Sequence, residues 1–275
     1  MANELQTRYS ALVDAKLRQT LVTMDDGMCP VFNTKYEGDP KAGAVKIPVR
    51  NAEVSVGNYD KVTGKALSQS ATSYITVTDF NDVAVNELID GYDADAVPDN
   101  VLADRLESAA FSGSLKLDQD GILELETNGT KSTNTVASTA VTAYDNLVAA
   151  RTALSKANVP VDGRYALVTP DIMAYFLTDA RCIQGDALAA EARQAGYIGK
   201  LAGFYLKETN NTATKTEFIC GHQNWATRIR EWVKEPYIQS LDGDSNFIGA
   251  SAVKGRWVFK HKVTNPLAFY IKARA

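Results

Sequence analysis

The chain has 275 residues, of which 45% are hydrophobic and 23% are charged, and its formal net charge is −4. A chain of this length and composition buries a core as one large domain or two small ones, which excludes an intrinsically disordered protein. The negative balance also fails to supply the basic footprint with which proteins hold nucleic acid through its phosphates.

Targeting and redox signals are weak in this sequence. No stretch approaches the ~20 apolar residues of a membrane helix, and the N-terminus lacks the basic-then-apolar pattern of a secretion signal. The three cysteines, Cys29, Cys182 and Cys220, are too few and too scattered for a disulfide framework. We therefore expect free thiols in a reducing compartment and no contact with a membrane.

The first elements predicted along the chain are a helix and a long hairpin. Residues 1–24 have weak amphipathic spacing, whereas Val45, Ile47 and Val49 alternate in the manner of a strand, as does the run Tyr74–Thr78. The polar, glycine-punctuated residues between these two strands predict a distant hairpin tip. Because an isolated two-stranded ribbon is marginal in water, the hairpin needs another surface, from this subunit or from a neighbour.

Residues 98–126 are predicted to form a long helix, since Leu102, Leu106, Gly113 and Leu117 trace one stripe. A polar linker at residues 127–141 follows it. Thr142 is predicted to cap the next helix, whose predicted buried residues are Tyr144, Leu147, Val148 and Leu154.

The remainder mixes strands and helices. Strands are predicted at residues 164–169, 198–206, 217–220 and 256–271, the last of them broken at Asn265-Pro266. Helices are predicted after Pro170 and at residues 185–195. Because these elements show no regular βαβ repetition, the pattern indicates an α+β fold.

Charge is distributed unevenly along the chain. Between Asp79 and Thr127 thirteen acidic residues face two basic ones, a net charge of −11, so the remainder of the chain carries +7. Residues 41–65 carry +3, and the six charged residues after Ser245 are all basic. Such asymmetry suggests surfaces that meet opposite charge.

Signals of catalysis are sparse. The chain has two histidines, and the pair Cys220 and His222 lacks the third group that a cysteine hydrolase needs to hold its base. The acidic run from Asp90 to Asp95 fails the calcium-loop pattern, because no glutamate stands at its twelfth position, Val101. We expect no catalytic residue, cofactor or metal ion.

Two segments resemble the tailed-bacteriophage major capsid proteins. The first is Leu154–Leu177, which carries the phrase Asn158-Val-Pro-Val-Asp-Gly-Arg164 ahead of a strand that ends at Pro170. The second, Gly196–Asn211, carries the phrase Gly196-Tyr-Ile-Gly-Lys-Leu-Ala-Gly-Phe-Tyr-Leu206, in which Leu206 replaces the usual valine. Residues 87–118 resemble the acidic lead-in and long helix of the same proteins.

The resemblance implies an α+β fold of the Hong Kong 97 type. It divides the chain into an N-terminal arm (1–43), an extended hairpin loop (44–78), a peripheral domain with a long spine helix (79–139), an axial domain (140–220) and return strands of the peripheral domain (221–275). It implies a subunit that self-assembles into pentamers and hexamers of an icosahedral phage head around double-stranded DNA. The partners would be copies of itself, scaffolding, portal and decoration proteins, and DNA contacted non-specifically.

The implied location is the virion, after assembly in the host bacterial cytoplasm. Two alternatives remain open. The first is an encapsulin-like compartment shell of the same fold, and the second, which the sequence favours less, is an α+β enzyme. A neighbour's spine lies near the hairpin in this family, so the charge split predicts that the hairpin meets the acidic segment across subunits. The candidate assembly contacts are Lys46, Arg50, Lys61, Lys65, Asp90, Asp93, Asp95, Asp99, Asp104 and Glu107.

Overall fold

A computed structural model describes residues 29–36, 43–50, 56–67, 72–90, 101–183, 199–243, 246 and 248–275. The helix predicted at residues 1–24 and the one at 185–195 lie outside the described residues. The helices are α1 (Val101–Asn128), α2 (Ala143–Lys156), α3 (Pro170–Thr178) and α4 (Ala180–Ile183). The strands are β1 (Val45–Arg50), β2 (Thr72–Val77), β3 (Asn81–Ile89), β4 (Thr130–Lys131), β5 (Arg164–Val168), β6 (Lys200–Leu201), β7 (Phe204–Glu208), β8 (Thr216–His222), β9 (Ala226–Ser240), β10 (Ser251–Val263) and β11 (Tyr270–Ala273).

The predicted hairpin is confirmed, because β1 and β2 pair antiparallel with Ile47 opposite Ile75 and Val45 opposite Val77. Side chains alternate between the two faces of a strand, so these four apolar residues share one face of the ribbon. This apolar face of the hairpin is therefore the one expected to pack against the rest of the subunit.

A three-stranded antiparallel sheet, in the order β3-β10-β9, supports the long helix α1. Its 28 residues make α1 about 42 Å long at ~1.5 Å per residue. Leu117 of α1 packs with Trp257 and Phe259 of β10. Gly113 permits this close approach, because a Cβ atom there would lie 2.8 Å from Cζ2 of Trp257.

A six-stranded mixed sheet, in the order β4-β11-β8-β5-β7-β6, carries the main core. Every residue of β5 and β8 is buried, which indicates that both faces of the sheet centre are covered. The helices α2 and α3 contribute Leu147, Leu154 and Phe176 to this core. Between β6 and β7, Ala202 and Gly203 both have positive φ, as a tight two-residue hairpin turn requires.

Two buried charged residues hold the loops around this sheet. Lys272 donates from Nζ to the carbonyl oxygens of Asn134 and Val136, at 2.6 Å each. Glu217 accepts from the backbone nitrogen and the hydroxyl of Ser138 at 2.8 and 2.5 Å. The polar linker predicted at residues 127–141 is therefore tied to the sheet through side chains, since its own pattern contains little apolar material.

The buried face of α2 differs from the prediction in two residues. Ala143, Leu147, Ala150 and Leu154 are its buried residues, whereas Val148 is 37% exposed and Tyr144 only half-buried. Small alanines at the correct spacing replace the larger side chains, because α2 lies close to the sheet. The last strand, β11, pairs with β8 across the domain boundary predicted at residue 220, and the division into named domains stays a prediction.

Candidate assembly interface

The root of the hairpin is anchored to the three-stranded sheet by a small apolar cluster. Val45, Ile47 and Val77 are buried together with Ile229 of β9, and Tyr36, Ile75 and Phe80 pack around them. The opposite face carries Lys46, Pro48 and Tyr74, all of which are exposed. One face of the ribbon is thus covered within the subunit and the other is open.

The tip of the hairpin contains a turn that is ordered by its own hydrogen bonds. The Asp60 carboxylate accepts from the backbone nitrogens of Val62 and Thr63 at 2.7 and 3.0 Å, and these bonds lower the pKa of Asp60. Gly64 closes the turn at a φ of 70° and donates to the Asp60 carbonyl oxygen at 2.9 Å. The tip therefore has a defined shape without support from a core.

Four large apolar side chains at the tip face solvent in the subunit. Val56, Tyr59, Val62 and Leu67, here called the tip cluster, are 92%, 75%, 93% and 104% exposed. A single exposed apolar side chain is ordinary, but four within the twelve residues 56–67 favour an interaction surface. The tip cluster was missed by the sequence reasoning, although large apolar residues within a polar, glycine-punctuated stretch were the available signal.

The basic residues predicted as assembly contacts lie along the hairpin. Lys46 is exposed on the open face of β1, and Lys61 and Lys65 are exposed at the tip. The Lys65 side chain lies over Gly57, where a Cβ atom would be 3.4 Å from Lys65 Cε. Arg50 is the last residue of β1, and its side chain lies outside the described part of the molecule.

The acidic residues predicted as contacts are only partly described. Asp90 is exposed directly after β3. Asp93, Asp95 and Asp99 lie outside the described residues, and Asp104 and Glu107 are described only as backbone of α1. Of the six acidic candidates the structure thus describes the side chain of Asp90 alone, and the pairing of the two charge sets stays a prediction.

Other acids of the same segment bind the basic C-terminal run inside the chain. The Asp82 carboxylate accepts from Nε of Arg256 at 2.9 Å and from its Nη2, and this hydrogen bonding lowers the pKa of Asp82. Lys260 Nζ lies 3.6 Å from Asp79 Oδ2, and Lys262 Nζ lies 3.6 Å from Glu124 Oε1. Some acidic residues of the segment 79–127 are thus neutralised by basic residues of the same subunit.

A buried polar cluster joins the hairpin exit, α1 and β10. His261 is fully buried, and its Nδ1 lies 2.9 Å from Asp120 Oδ2, while Asn81 donates to Asp120 Oδ1 at 2.7 Å. Phe32 lies against His261 with ring centroids 4.6 Å apart. The absence of a side chain at Gly121 makes this contact possible, since a Cβ there would be 2.7 Å from the Phe32 ring.

Acid is expected to destabilise the folded subunit through His261. Burial lowers the pKa of His261 and outweighs the opposing effect of Asp120, so the unfolded chain binds a proton at higher pH than the folded one. This contribution to stability is complete above about pH 6.5, the ordinary histidine pKa, and is lost as the pH falls below it. The urea concentration at the unfolding midpoint of the unassembled protein should therefore decrease when the pH is lowered from 7.5 to 5.5.

The same measurement on His261→Asn isolates this residue. Burial also lowers the pKa of His222. Acid therefore destabilises the fold through His222 as well, and this effect is retained in the His261→Asn variant. Burial alone would raise the pKa of Asp120, but its bonds to His261 and Asn81 lower it, which places its effect at more acidic pH. An equal loss in the variant and the original protein would show that His261 does not carry the effect.

The pair Cys220 and His222 is not arranged as a nucleophile and base. Burial raises the pKa of the Cys220 thiol far above its usual range, which keeps it protonated. His222 Nδ1 accepts from the backbone nitrogen of Asn224 at 3.2 Å, so its Nε2 carries the hydrogen that it donates to the Asp162 carbonyl oxygen at 2.8 Å. Both ring nitrogens are therefore used in holding two loops.

The described residues lack two further features, a metal-binding cluster and a membrane-spanning helix. No cluster of three or more His, Cys, Asp or Glu side chains in this part of the chain is arranged to hold a metal ion. Its helices are all too short or too polar to span a membrane.

Comparisons with known proteins identify the architecture. No protein-family model and no curated protein sequence matches the chain. A solved structure from Mycobacterium phage Che8 is 23% identical, with a TM-score of 0.70 over 88% of this chain and 89% of that one.

Two further solved structures have the same architecture at lower identity. The capsid structure of the cyanophage P-SCSP1u is 12% identical, with a TM-score of 0.71 over 89% of this chain and 86% of that one. A virus-like particle from Pyrococcus furiosus is 13% identical, with a TM-score of 0.54 over 97% and 100%. The chain therefore has the Hong Kong 97-type capsid fold that the sequence resemblance implied.

Proposed function

We propose that the chain is a major capsid protein that self-assembles into pentamers and hexamers of an icosahedral phage head enclosing double-stranded DNA. The match to phage structures along nearly nine-tenths of the chain supports this function. Its mechanism is association between copies, without a catalytic step. The location that follows is the virion, after assembly in the cytoplasm of the bacterial host.

The hairpin is the observation that carries the proposal. Its root is buried against β9, its tip has a fixed turn, and its tip cluster is apolar and 75–104% exposed. A shell subunit requires such a surface, because stable association buries apolar side chains that a monomer leaves in water. A second copy of the chain is the partner that a homo-oligomeric shell supplies.

The charges of the hairpin indicate which surface of a neighbouring subunit it contacts. We infer that Lys46, Arg50, Lys61 and Lys65 of one subunit face acidic residues of a neighbour. Asp79, Asp82, Asp120 and Glu124 already lie against basic side chains of their own chain. The acidic partners in this proposal are the residues that the charge pattern indicated: Asp90, Asp93, Asp95, Asp99, Asp104 and Glu107. Complementary charge sets register and association rate more than affinity.

Charge reversal tests this contact. The double variant Lys46→Glu, Arg50→Glu is expected to assemble at least tenfold more slowly at low salt, and this deficit should shrink at ~0.5 M salt because screening weakens the new repulsion. Light scattering follows the rate. The control Lys46→Arg, Arg50→Lys keeps both charges and should assemble normally. Unchanged kinetics and salt dependence in the reversed variant would refute the contact.

The remaining partners follow from the proposed function. Scaffolding, portal and decoration proteins are expected to bind the assembled surfaces, and packaged DNA is expected to be contacted non-specifically. A net charge of −4 suits a container in which DNA must slide, since extensive phosphate contacts would grip it.

An encapsulin-like compartment shell is the second candidate. The match to the virus-like particle from Pyrococcus furiosus spans that whole chain, which favours this candidate. Its TM-score of 0.54 is, however, lower than the 0.70 and 0.71 of the two phage structures. A compartment of this kind would enclose protein cargo in place of DNA.

Negative-stain microscopy of the purified protein tests both candidates. Closed shells are expected, and nucleic acid that survives nuclease treatment of particles from infected cells identifies a phage head. Shells that copurify with a protein cargo and no nucleic acid support the compartment. A monodisperse monomer under all assembly conditions would overturn both.

A further inference from the structure

A cavity of about 100 Å³ lies between α1 and the three-stranded sheet. Its apolar wall consists of Val85, Ala109, Leu117, Trp232, Val253 and Trp257. Gly113 also borders it and lets the Trp257 indole lie directly against the helix. The cavity is separate from the hairpin and has no part in the function proposed above.

A buried hydrogen-bond donor without a partner belongs to this wall. Trp257 is 4% exposed, and its indole Nε1 is a buried atom that makes no hydrogen bond. An unsatisfied buried donor costs ~1–3 kcal/mol, so native proteins seldom retain one without a reason. A bound acceptor would satisfy it.

A cation lines the same cavity. Arg230 of β9 lies opposite Phe259 of β10, so its side chain emerges on the sheet face that packs against α1. Arg230 makes no ion pair with any residue in the described part of the chain, and none of the described residues that line the cavity is acidic. Ser114 and Lys254 also border the cavity. The Trp257 indole nitrogen and the Arg230 guanidinium are therefore donors for which the described lining provides no anion.

We propose that this cavity binds a small monocarboxylate with a compact apolar body. Its carboxylate accepts hydrogen bonds from Trp257 Nε1 and the Arg230 guanidinium, and its body packs against Val85 and Leu117. An engineered cavity of ~150 Å³ holds benzene, so a cavity of about 100 Å³ suits a body of roughly four carbons. Charge-assisted bonds to a guanidinium favour the carboxylate over a neutral amide of the same shape.

Tryptophan fluorescence of the purified protein, titrated with isobutyrate at constant ionic strength, tests the proposal. We expect a saturable change in emission from the Trp232 and Trp257 pair, whose ring centroids are 5.2 Å apart. Isobutyramide is expected to bind at least tenfold more weakly. Arg230→Gln should raise the dissociation constant at least tenfold, whereas Lys260→Gln on the neighbouring strand should leave it unchanged.

A second variant keeps the test independent of Arg230. Trp257→Phe removes the indole donor, and Trp232, which still lines the cavity, should report a dissociation constant several-fold higher. Emission that shows no saturable change in the original protein would overturn the site. Equal binding of isobutyrate and isobutyramide, or an unchanged constant in Arg230→Gln, would overturn the assignment of a carboxylate ligand.

Discussion

Replacing Val62 and Leu67 by aspartate is expected to abolish shell assembly while leaving the subunit folded. Both side chains are at least 93% exposed in the subunit and contribute nothing to its core. Burying each at an interface stabilises that contact by roughly 1.5–3 kcal/mol, whereas burying an unpaired carboxylate is strongly unfavourable. Because a shell repeats the contact in every subunit, the effect on assembly multiplies.

Velocity sedimentation measures the assembled fraction, and circular dichroism measures the fold. The melting temperature of the unassembled aspartate variant should stay within about 2 °C of the original protein, since surface changes seldom alter stability. The matched variant Val62→Thr, Leu67→Met keeps size and neutrality and should still form shells. Normal shells from the aspartate variant would show that the tip cluster is not an interface.

Gly221→Ala is expected to destabilise the subunit by roughly 2–3 kcal/mol. Gly221 lies in the buried strand β8, where a Cβ atom would clash with Cδ1 of Phe269 and would be 2.7 Å from its Cε1 and 3.0 Å from the Tyr165 hydroxyl. Phe269 is 1% exposed and Tyr165 is fully buried, so neither ring has space into which it can move. The loss is measured as a lower urea midpoint of the unassembled protein.

Gly243→Ala is the control for this substitution. Gly243 lies in the turn after β9, its φ is not positive, and a Cβ atom there would meet nothing within 4 Å. Alanine at such a position restricts the unfolded chain and is neutral or stabilising by up to ~1 kcal/mol. Equal midpoints for the two alanine variants would contradict the packing around Gly221.

Local patterns in the sequence predicted the elements with strong periodicity. The alternation of Val45, Ile47, Ile75 and Val77 predicted the hairpin, and the stripe through Gly113 and Leu117 predicted α1. The pairing of β3 with β10 could not be predicted in this way, because it joins Ala84 to Arg256 across most of the chain. Register between distant strands depends on the packed core, which no local window contains.

The same limit applies to the candidate interface. Lys46, Lys61 and Lys65 are exposed, as an intersubunit role requires. The sequence could not show that Arg256 and Lys260 bind acids of their own chain, since those pairs exist only after β10 has joined the sheet. A count of charges along the chain therefore overstates the charge that a neighbour meets.

The hydrogen bond between Asn81 and Asp120 has a mechanical consequence. Asn81 begins β3 four residues after β2 ends, so this bond ties the strand that leaves the hairpin directly to α1. A force on the hairpin tip would reach this tie and the cluster around Ile229 before it reached the main core. The hairpin root is thus fixed to the body of the subunit at these two points. A displacement of the hairpin tip by a neighbouring subunit would be transmitted through them to α1.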